Sequence, residues 1–191
     1  MNVAGKVLTE IARLAILEEF EGRPLIDKRK YLALFPALGK EGAVFVTLNK
    51  TRSAGEPELR GCIGSIIPRR ALIDDIIYNA KAAAFSDPRF PPLQPEEFND
   101  ISIEVSLLSY PEKVEYADVE DLKSKILPFK HGVILRWGDR QATFLPQVWE
   151  KLPDFDLFFE HLCQKAGLPG NCLEYHPDIY VYTVKIVEEN E

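Results

Sequence analysis

The sequence has no excess of positive charge, few cysteines and no long apolar run. It contains 23 Lys and Arg residues against 30 Asp and Glu residues, which gives a net charge of −7. A protein whose whole surface follows a nucleic-acid backbone carries the opposite charge balance, so that class is excluded, although a local basic site is not. No segment approaches the roughly 20 apolar residues that a membrane span requires.

The amino-terminal segment also lacks the uninterrupted apolar stretch of a secretory signal. Lys6, Glu10 and Arg13 interrupt it. We therefore expect a cytoplasmic protein. The three cysteines are an odd number in a chain without an export signal, so we expect reduced thiols rather than a disulfide framework.

The composition that is present fits one folded domain. The chain has 191 residues, of which 46% are hydrophobic and 28% charged. These values are typical of a soluble globular domain that buries a full core, and they exclude a disordered or collagen-like chain.

The order of helical and strand patterns predicts an α+β fold with largely antiparallel sheets. Helical spacing predicts an opening helix that ends at Gly22, and further helices at 68–85, 118–126 and 155–166. Alternation or β-branched runs predict strands at 43–48, 59–67, 101–107, 132–137, 141–145 and 179–187. The proline-dense segment 86–93 predicts an ordered or extended loop, because proline removes amide donors and restricts φ.

Cys62 is the most prominent candidate for chemistry. Gly61 and Gly64 flank it on the predicted second strand, and glycines there leave the backbone and the sulfur open to a ligand. Arg60 lies beside it, and Arg69 and Arg70 lie at the predicted start of a helix, so nearby positive charge would favour the thiolate. The alternative is a structural cysteine, with glycines that allow tight sheet packing.

Several sequence blocks resemble the AMMECR family, whose prokaryotic members are called AmmeMemoRadiSam system protein A. The blocks run in series through nearly the whole chain: LRGCIGS at 59–65, SDPRFPPL at 86–93, EVSLLS at 104–109, HGVIL at 131–135 and FLPQVW at 144–149. The LRGCIG hexapeptide is the hallmark of that family. The resemblance adds Ser65, Phe90 and Gln147, which lie in these blocks, to the candidate binding residues.

The resemblance implies one AMMECR domain with an AMMECR-like fold of two subdomains, each with a mainly antiparallel sheet flanked by helices. The larger subdomain would cover about 1–112 and 177–191, and the smaller about 113–176, with the hallmark cysteine near their interface. The strand at 179–187 would then belong to the larger sheet. The resemblance also implies a Memo-like protein and a radical S-adenosylmethionine enzyme as partners. No cofactor is predicted for this chain, since its three cysteines cannot supply closely spaced iron–sulfur ligands.

A basic island surrounds Cys62 in the sequence. Residues 50–90 contain seven basic and five acidic side chains, which leaves −9 for the remainder of the chain. Arg60, Arg69, Arg70 and Arg89 would receive a phosphate, a carboxylate, an acidic partner or RNA if they converge. The alternative is a set of solvated surface arginines.

A nucleophilic role for Cys62 would need a base. His131 is the best of the three histidines, because it also lies in one of the matching blocks. Glu104 alternates with apolar residues and is the other acid–base candidate. The alternatives are a loop or capping role for His131 and a solvated carboxylate at Glu104.

A second cluster carries donors that zinc accepts: His161, Cys163, Cys172 and His176. Residues two apart on a helix point about 200° apart around its axis, so the first two would not converge. We therefore predict no metal site, with Cys163 as a core residue.

Two function hypotheses remain open. The first is a binding or accessory module of a macromolecule-modification system. The second is an enzyme that uses Cys62 as a nucleophile or redox thiol. The absence of a sequence-linked base weighs against the second, and the net charge of −7 weighs against a general RNA binder.

Overall fold

The computed structural model describes residues 3–50 and 57–189, with side chains from Lys6 onward in the first helix. The described helices are α1 (Val3–Glu21), α2 (Lys28–Leu34), α3 (Leu72–Phe85), α4 (Val119–Lys125) and α5 (Phe155–Lys165). The described strands are β1 (Glu41–Lys50), β2 (Glu58–Gly64), β3 (Arg70–Ala71), β4 (Ile101–Leu108), β5 (Glu112–Val114), β6 (Gly132–Trp137), β7 (Arg140–Phe144), β8 (Asp178–Tyr182) and β9 (Val184–Glu188). They form two compact units, Met1–Leu108 with Lys185–Glu191 and Ser109–Val184.

The first unit is built on a sheet whose strands run in the order β2-β1-β4-β9, with β3 paired to β1. β1 pairs antiparallel with both β2 and β4. Val44, Val46 and Leu48 alternate along β1 and are fully buried, because α1 and α3 pack against that face of the sheet. The opposite face carries the alternate side chains, among them Phe45 and Thr47. The predicted strands at 43–48 and 101–107 are confirmed.

The third helix begins later than its apolar spacing predicts. Arg70 and Ala71 form β3, which pairs with Gly42 and Glu41 at the start of β1. The Leu72 amide then donates to the carbonyl of Lys40 at 2.8 Å, and the helix starts there. The predicted start of this helix at Pro68 was therefore wrong. Arg70 and Ala71 form backbone hydrogen bonds with β1 and so do not form the first turn of the helix.

The second unit contains a sheet with the strand order β5-β8-β6-β7. Each of its three pairs of neighbouring strands is antiparallel. β6 and β7, which match the strands predicted at 132–137 and 141–145, form a hairpin, and Gly138 adopts a φ of 60° in its turn. α5 packs on this sheet, and its N-cap Asp154 accepts from two backbone amides. Trp149 stacks on Phe158 with ring centroids 3.6 Å apart, so aromatic packing dominates this core. The α+β fold class with antiparallel sheets is confirmed.

The carboxyl-terminal run is two strands and not one. β8 lies between β5 and β6 in the second sheet, whereas β9 lies beside β4 in the first sheet. The prediction of one strand at 179–187 in the larger sheet was therefore wrong. β-forming residues continue across Thr183, so local pattern alone shows no break.

Cys163 and Cys172 are joined by a disulfide, with their Cα atoms 5.8 Å apart. Gly167, at a φ of 72°, turns the chain after α5 so that the short 3-10 turn Cys172–Tyr175 returns to the helix end. The expectation of reduced thiols was wrong for this pair, and the bonded sulfurs are not available as zinc ligands. No helix within 3–50 and 57–189 combines the length and apolar character that a membrane span requires.

Candidate functional site

Cys62, Thr47 and Glu104 lie in one row across three strands of the first sheet. Thr47 of β1 is directly opposite Cys62 of β2 on one side and Glu104 of β4 on the other. Directly opposite residues place their side chains on the same face of a sheet. This polar row therefore puts a thiol, a hydroxyl and a carboxyl group on the face opposite the helices, where all three residues are partly exposed.

The hydroxyl of Thr47 contacts the sulfur directly. Thr47 Oγ1 donates a hydrogen bond to Cys62 Sγ at 3.3 Å. Cys62 is the free cysteine of the structure and is half-buried. This hydrogen bond fixes the orientation of the Cys62 side chain on the sheet face.

The proline-dense loop closes the outer edge of β2 at Cys62. Asp87 Oδ2 accepts from the Cys62 amide at 2.9 Å, and Arg89 Nη2 donates to the Cys62 carbonyl at 3.2 Å. Arg89 also holds Asp87 through both its Nε and Nη2 atoms. These two side chains replace the neighbouring strand that an edge residue lacks. We call this pair the 87–89 clip; it confirms an ordered loop over 86–93.

The electrostatics of the 87–89 clip are strongly coupled. Hydrogen bonds from Arg89 hold the pKa of the buried Asp87 carboxyl well below its ordinary range. The hydrogen bond with Asp87 raises the pKa of Arg89, and a smaller contribution comes from Cys62. Arg89 therefore places a positive charge close to Cys62. Its side chain donates one hydrogen bond to the Cys62 carbonyl and two to Asp87.

Glu104 has a raised pKa, mainly because burial disfavours its charged form. The charge of Glu188 on β9 raises it further, while a hydrogen bond from Ser106 Oγ at 3.1 Å lowers it. A carboxyl group in this environment exchanges a proton closer to neutral pH than an exposed glutamate does. Glu104 is therefore an acid–base candidate on the sheet face that carries Cys62.

The glycines beside Cys62 serve packing and do not open the site. A Cβ atom at Gly61 would overlap the backbone oxygen of Ala83 in α3. A Cβ atom at Gly64 would overlap the ring of Phe45, which lies over it on the Cys62 face. Both spaces are filled by the protein itself, and ligand contact at Gly61 or Gly64 stays a prediction. The alternative of tight packing is the one that the structure supports.

The basic island is largely neutralised by carboxylates. Arg60 is 5% exposed, and its Nε and Nη2 atoms both bind Glu97 at 2.9 Å. Arg70 reaches the buried Asp75 at 3.5 Å and lies over the ring of Tyr78. These arginines therefore have structural partners and are not free for an anion.

Arg69 and Phe90 are the two candidate residues of this region that no carboxylate holds in the described part of the chain. Arg69 is exposed, and no ion pair in the described part of the chain neutralises it. The sequence predicts Arg69 at the start of a helix. In the structure it immediately precedes β3, so that prediction was wrong. Phe90 lies between two guanidinium groups, 5.9 Å from that of Arg60 and 5.5 Å from that of Arg89. Its ring joins the 87–89 clip to the buried Arg60.

Ser65 belongs to a buried polar network. Its hydroxyl donates to Asp75 at 2.8 Å, and Asp75 also accepts from the Val44 amide and from Asn79. The network fastens the end of β2 and the start of β1 to α3. Ser65 therefore has a structural role in this geometry.

His131 and Gln147 lie in the second unit. His131 Nδ1 accepts from the Leu127 amide at 3.2 Å, and its carbonyl accepts from Trp149 Nε1. Burial lowers the pKa of His131, so the neutral ring is favoured. Gln147 is exposed on the 3-10 turn Pro146–Glu150. The pairing of His131 with Cys62 stays a prediction.

Sequence reasoning missed Thr47 and Asp87, which contact Cys62 directly. Thr47 alternates with the buried Val46 and Leu48, and that pattern places it on the polar face once β1 is known. The signal for Asp87 is weaker, because an acidic residue two positions before Arg89 is also common in surface loops.

The sequence matches the model of the AMMECR1 family over residues 9–187. It is 38% identical to Protein MK0488 of Methanopyrus kandleri, with 98% of this chain and 89% of that protein covered. A protein of Aquifex aeolicus is 34% identical, with 96% and 92% covered. The solved structure of the uncharacterized protein PH0010 from Pyrococcus horikoshii superposes with a TM-score of 0.80 at 35% identity, covering 95% of this chain and 89% of that one.

Proposed function

Because the chain belongs to the AMMECR1 family, we propose that it is a cytoplasmic binding or accessory component of a macromolecule-modification system. Its partners in this proposal are a Memo-like protein and a radical S-adenosylmethionine enzyme, as for the prokaryotic proteins that it resembles. The contact would be centred on the polar row of Cys62, Thr47 and Glu104.

The observation that carries the proposal is the combination of an accessible thiol with fixed surroundings. Cys62 is held by Thr47 through its sulfur and by the 87–89 clip through its backbone. All three histidines of the sequence lie outside the first unit, at positions 131, 161 and 176. Cys62 therefore has no histidine within its own unit, and the side chains of that unit favour recognition over a complete imidazole-based catalytic set.

The chemistry of the recognised surface follows from the same contacts. Three of the four arginines of the basic island are held by carboxylates, so among these four described residues only Arg69 is free to bind a phosphate group. The favoured partner is therefore a protein surface with hydrogen-bonding groups, and an anionic ligand or RNA would bind less well.

A binding assay with defined partners tests the proposal. The Memo-like protein and the radical S-adenosylmethionine enzyme from the same genome would be titrated by calorimetry against the wild type, Cys62→Ser, Glu104→Gln and the exposed control Glu120→Gln. We expect at least one partner to bind the wild type and the control equally, and to bind both site variants at least tenfold more weakly. Equal binding by all four proteins, or no binding of either partner, would contradict the proposal.

Thiol catalysis is a second candidate, and the polar row favours it specifically. Thr47 donates to the sulfur, and the raised pKa of Glu104 makes its carboxylate a stronger proton acceptor than that of an exposed glutamate. Cys62 would then act as the nucleophile, and Glu104, on the other side of Thr47, would take up the thiol proton through an intervening water. If so, the pH dependence of Cys62 alkylation would shift in Glu104→Gln relative to Glu120→Gln, whereas identical profiles would remove Glu104 from this role.

A further inference from the structure

A separate apolar pocket lies within the first unit, with a volume of about 320 Å³. Its walls come from α1, from the end of α2 with the following 3-10 turn Pro36–Gly39, from the first residue of α3, and from β4 and β9. None of the residues of the polar row lines it. The volume is at the lower end of the range of ligand sites in proteins, roughly 300–1,000 Å³.

The side chains of the pocket exclude most polar ligands. Every lining residue is aliphatic, aromatic or proline except Lys185, so the pocket has no side-chain hydroxyl, amide or carboxylate. Sugars, nucleotides and amino acids would lose hydrogen bonds to water there without replacing them. An alkyl chain loses nothing and gains the burial of apolar surface.

The rim and the walls differ in how well they are packed. Leu8 and Leu38 in the walls are 6% and 3% exposed, because they also belong to the core of the unit. Leu34 is 62% exposed, although it lines the same pocket. The apolar surface therefore continues outward from fixed walls to an uncovered leucine, as a site for a chain-like molecule requires.

Lys185 gives the pocket one charge. It is exposed on β9, and no ion pair within residues 3–50 and 57–189 involves it. A lone ammonium group next to an apolar cavity complements one anionic group attached to an apolar chain. We propose that the pocket binds a short straight-chain aliphatic anion, with the chain against the apolar walls and the head group at Lys185.

A titration followed by ¹H–¹⁵N NMR spectroscopy tests this proposal with two probes of equal chain length, octanoate and 1-octanol. We expect octanoate to shift the amide signals of the pocket walls, in particular those of Leu34 and Leu107, and to bind more tightly than 1-octanol. In Lys185→Gln the octanoate affinity should fall about two- to fivefold, as for an exposed ion pair, while the octanol affinity stays constant. The matched control Lys151→Gln, an exposed lysine of the second unit, should change neither.

Filling the pocket provides an independent variant. Ala37 is exposed and lines the pocket, so Ala37→Phe should occupy the cavity without entering the core. We expect this variant to lose binding of both probes while retaining the wild-type melting temperature. Shifts confined to other regions, or equal loss of octanoate binding in the two lysine variants, would overturn the proposal. Failure of the wild type to bind octanoate at millimolar concentration would overturn it as well.

Discussion

Removing the charge of Glu97 should destabilise the protein in a strongly pH-dependent way. Glu97 binds the Nε and Nη2 atoms of Arg60, each at 2.9 Å, and Arg60 has a side chain that is only 6% exposed. Glu97→Gln keeps the shape of the side chain but leaves a buried guanidinium without its carboxylate. Breaking a buried ion pair from one side costs about 3–5 kcal/mol.

The magnitude follows from the same geometry. The hydrogen bonds from Arg60 lower the pKa of Glu97 from 4.5 to about 2, with smaller contributions from the Gln94 amide and Lys50. At about 1.4 kcal/mol per pH unit, this fall corresponds to about 3.5 kcal/mol of stability. Because the pKa is lowered by folding, the stabilisation is complete above pH 4.5 and is lost as the pH falls towards 2.

Urea denaturation of the wild type and Glu97→Gln at pH 7 and pH 3 measures this contribution. We expect a difference of about 3.5 kcal/mol at pH 7 and about 1.5 kcal/mol at pH 3. Glu96→Gln is the matched control at the exposed neighbouring position, and it should remain within about 0.5 kcal/mol of the wild type. A difference below 1 kcal/mol at pH 7, or one that is independent of pH, would refute a structural role for Arg60.

Three further predictions follow from the fold and from the cysteines. Gly61→Ala should lower the free energy of unfolding by about 1–3 kcal/mol, because the new methyl group meets the Ala83 carbonyl, and thermal melting measures this. Iodoacetamide mass mapping should label Cys62 in the folded protein and the two disulfide-bonded cysteines only after reduction. Deleting the chain from Ile179 onward should abolish cooperative melting, followed by circular dichroism, since it removes a strand from each sheet.

The parts of the fold that sequence could predict are those with a strong local period. β4 alternates buried and half-exposed residues over most of its length, and α5 begins at an aspartate N-cap and is followed by a glycine that turns the chain. The failures concern pairing between distant segments. β3 is defined only by its bonds to β1, and the separation of β8 from β9 depends on which sheet each one joins.

The candidate site was predictable in its centre and not in its charges. The LRGCIG block identified Cys62, and alternation along β4 identified Glu104. The carboxylates that hold Arg60 and Arg89 could not be assigned, because an arginine pattern gives no information on which acidic residue folds against it. Glu97 lies 37 residues after Arg60. The glycines were ambiguous for a similar reason. A glycine leaves space for a ligand and for a packed backbone such as that of Ala83 alike, and the sequence does not show which of the two fills the space.

The most direct test of the proposed function is the protection of Cys62 by a partner. The rate of iodoacetamide labelling at Cys62 would be measured for the protein alone and in saturated complexes with the Memo-like protein and with the radical S-adenosylmethionine enzyme. If a partner contacts the polar row, Cys62 should be labelled at least tenfold more slowly in that complex than in the free protein. Unchanged labelling in complexes that have formed would contradict the account, because the partners would then bind elsewhere.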